Sequence, residues 1–205
     1  MTGSGKQHWE DVYATKPADT VSWFQPSPVP ALAALERLGA RPDQSLIDIG
    51  GGASTLVDAL LDRGWSDLSV LDISEAALAV AKGRLGHKAD LVDWIVADIT
   101  RWSTTRTYEI WHDRAVFHFL TDPKDREAYK ERMIGALAPG GAVVMATFAL
   151  DGPERCSGLT VQRYDAETLA NELGSAFEPL GDWTEDHVTP MGNRQSFTWC
   201  LFRRV

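Results

Sequence analysis

Three consecutive glycines, Gly50, Gly51 and Gly52, follow the apolar run Leu46-Ile47-Asp48-Ile49. Glycines after a strand let the backbone bend sharply and let a ligand approach where a Cβ would obstruct it. Asp72 closes the next apolar run, 22 residues beyond Gly50, near the spacing at which an acidic side chain meets ribose hydroxyls. With Ile73 beside it, its ionised carboxylate can accept two hydrogen bonds from a vicinal diol. Asp98, between Ala97 and Ile99, ends the run after that; there a carboxylate can accept from an exocyclic amine while apolar neighbours pack on a purine. Each acid alone reads as a solvated loop residue. The set points to a nucleoside.

Which nucleoside follows from what the chain lacks. A dinucleotide site would place a third glycine where Thr55 stands and would need a second βαβ half. ATP would call for Gly-x-x-x-x-Gly-Lys-Ser/Thr, which does not occur. A nucleoside with a charged, phosphate-free tail fits better, and S-adenosylmethionine has one. Asp48 can reach that tail directly or through a water.

These residues need a scaffold, and the apolar spacing supplies one. Strands are expected at 45–49, 68–72, 91–97, 108–113 and 142–148, and helices at 7–13, 31–38, 55–63, 75–85 and 123–137. Ser74 and Asp122-Pro123 are start signals for two helices, and Pro139-Gly140-Gly141 a stop signal. Strands this apolar belong inside a parallel sheet covered on both faces, so the fold class is α/β, doubly wound. The last third differs. After a helix at 165–173, strands at 177–183 and 195–203 are joined without room for a crossover helix, which permits antiparallel pairing only. The final one is apolar on both faces and is expected between neighbours.

These motifs together resemble the class I S-adenosylmethionine-dependent methyltransferases, the seven-stranded Rossmann-like family, from about Leu46 to Val205. The residues that carry the likeness are Asp48-Ile49-Gly50-Gly51-Gly52, Asp72, Ala97-Asp98-Ile99, His112-Asp113-Arg114 and Leu137-Ala138-Pro139-Gly140-Gly141. The resemblance implies strand order 3-2-1-4-5-7-6 with strand seven antiparallel, and conversion of S-adenosylmethionine to S-adenosylhomocysteine. Residues 31–205 would form the methyltransferase domain, and residues 1–30, rich in Trp9, Tyr13, Trp23 and prolines, an aromatic segment over the cofactor. That segment is similar to those of small-substrate and protein-lysine members. Its rings are either a lid using cation–π attraction to the sulfonium or core anchors.

Methyl transfer asks little of the protein: proximity, exclusion of water and, for a protonated acceptor, a proton sink. The candidates lie past strand four. Asp113 and His118 are the candidate catalytic residues, Asp113 also bordering the cofactor; His118 is either a proton acceptor or a structural histidine. Arg114 either binds an anionic acceptor or pairs with Asp113 or Asp122. Phe117, Arg163 and Tyr164 complete the expected substrate set. Cys156 reads as an inert loop thiol rather than a reactive one. No metal site is expected.

Composition bounds the rest. The chain has 205 residues, 44% of them apolar, enough for a full core, and a formal charge of −9 that argues against a nucleic-acid partner. Its two cysteines make no disulfide framework, and its first residues, Met1 to Lys6, have no signal-peptide character. A soluble, cytoplasmic enzyme with a small thiol, metalloid, carboxylate or amine acceptor is expected. The alternatives are a protein-lysine methyltransferase and a non-catalytic module that binds S-adenosylmethionine. Oligomeric state stays open.

Overall fold

The computed structural model describes residues 3–205, so the first two residues of the expected aromatic segment lie outside it. Helix α1 (Gly3–Thr15) is longer than the spacing predicts. Helix α2 (Val29–Arg37) starts two residues early, because Pro30, with no N–H to leave unpaired, sits in its first turn. An alternating stretch follows: β1 (Leu46–Ile49), α3 (Leu56–Leu61), β2 (Leu68–Asp72), α4 (Glu75–Leu85), β3 (Val92–Val96) and β4 (Tyr108–Arg114). Then come α5 (Pro123–Ala136), β5 (Leu137–Phe148), a small hairpin of β6 (Arg155–Cys156) and β7 (Leu159–Thr160), α6 (Ala166–Leu173), β8 (Phe177–Val188) and β9 (Arg194–Arg204).

The start signals act as expected. Ser74 Oγ accepts from the Ala77 amide at 3.1 Å to open α4, and Asp122 accepts from the Lys124 amide at 2.9 Å to open α5. Asp165 and Thr168 form a reciprocal capping box at α6.

The seven-stranded sheet runs β3-β2-β1-β4-β5-β9-β8, which is the order 3-2-1-4-5-7-6 when the hairpin strands are left out. Strands β1 to β5 pair in parallel, and β9 lies antiparallel between β5 and β8. Alternation along β1 sends Leu46 into a core with α2, α3 and α4, and Ile47 and Ile49 into a second core with α5 and α6. Trp111 and Trp199 are each wholly buried, one in each core.

Two strand boundaries differ most from the sequence expectation: β8 runs on to Val188 rather than stopping at 183, and β5 starts early. β5 begins at Leu137, not Ala142, and Pro139-Gly140-Gly141 sits where the register against β4 shifts between Tyr108 and Ile110. A proline cannot donate to the ladder, so the stretch acts as an irregular entry to the strand rather than a loop before it. Among the described residues no helix is long and apolar enough to cross a membrane.

Candidate functional site

The carboxyl ends of β1 to β4 open into two adjoining cavities, with empty volumes of about 690 and 610 Å³. Crevices at this end of an open α/β sheet, where strand order reverses, are where ligands lie. The first cavity takes Gly50, Asp72, Ile73, Ala97, Asp98 and Ile99 into its wall. The second takes Asp48 and Gly51. Trp9 faces the first, and Tyr13, Trp23 and Arg114 border both. Gly52 stands behind the wall.

The glycine turn is sterically required. Gly50 has φ +66°, and a Cβ there would lie 2.0 Å from Val116 Cγ2. A Cβ on Gly52 would lie 2.5 Å from Asp72 Oδ2, so the turn and the carboxylate are packed as one unit. Asp72 Oδ1 accepts from the Ser74 amide at 2.8 Å. Burial pushes its carboxyl up to about 7; the nearby charges of Asp48 and Glu10 add to the rise and hydrogen bonds from Ser74 and Ile73 oppose it. Asp98 is tied down by Thr100, whose amide and hydroxyl donate to Oδ1 at 3.0 and 2.8 Å. Asp48, in register beside His112, is held 2.7 Å from that ring's Nδ1.

Aromatic rings roof the first cavity. Trp9 meets Trp23 and Phe119 edge-on, with centroids 5.5 and 5.2 Å apart, and Trp23 Nε1 donates to the Tyr13 hydroxyl at 3.1 Å. α1 is fastened over the site at two points. The Glu10 carboxylate accepts from the amides of Glu75 and Ala76 at 2.9 and 3.1 Å and from Ser74 Oγ at 3.0 Å, capping α4 from another helix. Partial burial would raise this carboxyl, but those hydrogen bonds outweigh it and lower it. His8 Nε2 lies 3.1 Å from Ser157 Oγ at the tip of the β6–β7 hairpin. Loss of a capping carboxylate costs about 1 kcal/mol. Glu10→Ala should therefore speed proteolysis within residues 5–15 and weaken nucleoside binding by roughly fivefold; unchanged digestion kinetics would contradict the fastening role.

The other expected residues lie elsewhere. Asp113 and His118 are each 0% exposed and in neither cavity wall. Asp113 accepts from the Val116 and Phe117 amides at 2.8 and 3.1 Å and from the Tyr129 hydroxyl at 2.5 Å. His118 Nδ1 accepts from the Phe148 amide at 3.3 Å, and burial, aided by the Arg114 charge, holds the ring neutral with its pKa down at about 3. Phe117 and Tyr164 are core residues with rings 5.7 Å apart, and Arg163 braces the loop by donating to the Gly152 carbonyl at 3.0 Å. The cause is local: Ala115 takes φ +73°, which swings the chain after β4 so that 117 and 118 point under the cavity. Phe119, returned to the wall, is the ring that sequence reasoning missed.

Cys156 also enters the wall, carried by the hairpin. Its thiol is pushed up to about 12 by burial, with Arg114 opposing the rise, and so stays protonated. The signal for that hairpin was present: Ser157-Gly158, both at positive φ, is a two-residue turn between short extended runs.

Comparison with known proteins agrees with this geometry. Residues 46–141 match a family described as a methyltransferase domain. A malonyl-acyl-carrier-protein O-methyltransferase of Anoxybacillus flavithermus is 26% identical over 171 residues, 80% of this chain and 62% of that protein. A ubiquinone/menaquinone biosynthesis C-methyltransferase of Cereibacter sphaeroides is 27% identical over 123 residues, 57% of this chain and 47% of that protein. The chain thus spans about half to three-fifths of the length of these curated relatives. In structure it is similar to the N-methyltransferase NodS of Bradyrhizobium japonicum in complex with S-adenosylhomocysteine, with TM-score 0.70, 18% identity and coverage of 95% of this chain and 97% of that one. It is also similar to a Burkholderia thailandensis 1,6-didemethyltoxoflavin-N1-methyltransferase with bound 1,6-didemethyltoxoflavin and S-adenosylhomocysteine, with TM-score 0.70, 18% identity and coverage of 98% of this chain and 84% of that one. At these identities the structural likeness speaks for the fold.

Proposed function

We propose that the chain is a class I S-adenosylmethionine-dependent methyltransferase that transfers the methyl group to a small-molecule acceptor and releases S-adenosylhomocysteine, a reading supported by the methyltransferase-domain match over residues 46–141. One observation carries this reading: the Gly50 turn, Asp72 and Asp98 meet on one cavity whose wall also carries the rings of Trp9, Tyr13, Trp23 and Phe119. The residues suit the cofactor. Asp72, a buried carboxyl held high by its burial, suits a ribose diol, and Asp98 with Ala97 and Ile99 suits an adenine edge. Asp48, fixed by His112 in the second cavity, suits the ammonium of an amino-acid tail. The bound cofactor would supply a methyl group already activated by its sulfonium.

The chain's own residues then position and shield. Trp9, Trp23 and Phe119 exclude water from the space in front of the strand ends, and their ring faces favour a cation over a phosphate. Residues 1–30 act as the lid in this reading. Asp113 and His118 serve the reaction by holding the turn after β4, not by touching the reacting atoms.

Calorimetry tests the reading. S-adenosylhomocysteine should bind with a micromolar constant, while NADH and ATP leave no heat. Radiolabelled methyl donor should then label a small-molecule fraction of a cell extract. Binding of NADH or ATP in preference to S-adenosylhomocysteine would overturn the assignment; label in protein alone would overturn the acceptor class.

A further inference from the structure

Arg114 ends β4 and is the only lysine or arginine, among the described residues, in either cavity wall. Its Nη1 donates to the Trp23 carbonyl at 3.1 Å, and its guanidinium carbon lies 4.5 Å from the centroid of Phe197. Its Nε and Nη2 atoms are buried and find no protein acceptor. Those two N–H groups share one edge of the planar guanidinium, the edge that grips a carboxylate through two parallel hydrogen bonds. No aspartate or glutamate among the described residues forms an ion pair with Arg114. Glu185, the carboxylate whose charge acts on it, is engaged by Gln25 Nε2 at 3.1 Å and Trp199 Nε1 at 2.6 Å. A buried cation without a partner is costly, and a fold that keeps one beside a ligand cavity recovers that cost when an anion arrives.

We infer that the methyl acceptor carries a carboxylate, or an anion of the same forked geometry, which Arg114 binds through Nε and Nη2. This rests on the proposed methyltransferase activity and narrows its substrate class. Arg114 borders both cavities, but its guanidinium lies against Phe197 of β9, and in the sheet β4 and β5 stand between β9 and β1, where the glycine turn begins. The guanidinium thus leans to the side of the sheet away from that turn. Trp23 and Cys156 of the hairpin share the wall of the first cavity with Arg114. Beside it the walls are aromatic, which favours a carboxylate borne on a flat or apolar body.

The test uses the full chain saturated with S-adenosylhomocysteine and titrated with benzoate, phenylacetate and indole-3-acetate, each against its neutral amide. At least one carboxylate should bind about tenfold or more tightly than its amide. Arg114→Met should erase that preference and Arg114→Lys should keep only part of it, with S-adenosylhomocysteine affinity within about twofold of wild type in both. Equal binding of every carboxylate and its amide by the wild type would overturn the inference, and needs no variant. So would a loss of S-adenosylhomocysteine affinity in Arg114→Met while 5′-methylthioadenosine, which lacks the amino-acid tail, binds as before; the anion would then be the cofactor's. Failure of the wild type to bind S-adenosylhomocysteine at all would instead strike the methyltransferase reading.

Discussion

Asp72→Asn is expected to weaken S-adenosylhomocysteine binding by more than about tenfold, at least 1.4 kcal/mol, while making the ligand-free protein more stable at pH 8. Both effects come from the same burial. The ionised carboxylate accepts from the ribose diol, but without ligand it is held in a space that disfavours charge, so its pKa rises to about 7 from 3.8. An acid raised in the folded state binds its proton more tightly there than in the unfolded chain. Its contribution to stability therefore falls as pH rises from about 4 through 7. Asparagine keeps the acceptor for the Ser74 amide and removes the charge. A gain of 1 kcal/mol or more, about 2–4 °C in thermal midpoint, should result.

The same protonation governs affinity. Below pH 7 the free protein takes up a proton that ligand must displace, so affinity should drop by up to about tenfold per pH unit, and Asp72→Asn should flatten that slope. Titration calorimetry in buffers of different ionisation enthalpy would detect the released proton. A variant with unaltered affinity, or a wild type indifferent to pH between 5.5 and 8, would refute the role given to this carboxylate.

The second large effect is on folding. Asp113→Ala should destabilise the protein by roughly 3–5 kcal/mol. Its carboxylate is the shared acceptor for two amides and the Tyr129 hydroxyl, and that hydroxyl in turn accepts from Trp111 Nε1 at 2.8 Å. Alanine strands buried donors on three residues at once, and the turn that presents Val116 and Phe119 to the cavity loses its anchor. Chemical denaturation should show the loss without ligand present. An Asp113→Ala chain as stable as wild type but unable to transfer methyl groups would restore the catalytic role that the sequence suggests.

The difference between these two aspartates shows what could be read from the sequence and why. Asp72 ends β2, and the spacing from Gly50 is a property of one βαβ unit, so local pattern suffices to place it. The reversed final strand was legible for a similar reason, since the apolar runs at 177–183 and 195–203 leave no room for a crossover helix, and the observed strands, Phe177–Val188 and Arg194–Arg204, shorten the connection further. Asp113 stands one residue before the end of β4, yet it caps the turn beneath the cavity. That outcome depends on Ala115 adopting a left-handed conformation, which nothing in an alanine announces. Glu10 was illegible for a different reason. It caps a helix that starts 65 residues later, and its glutamate lies in an ordinary polar stretch of α1. Arg114 was open between an anion and an internal partner; the structure leaves two of its donors without protein acceptors, and only packing could reveal that.

The insertion of β9 between β5 and β8 bears on how the molecule is made. Synthesis delivers every strand of the parallel half first, yet β5 gains its second neighbour only from residues 194–204. Until those residues emerge from the ribosome, a long apolar edge that includes Val144, Ala146 and Phe148 stands unpaired and open to other nascent chains. Pairing of that edge therefore waits on residues 194–204, and until they emerge the parallel half is most exposed to chaperones and to aggregation.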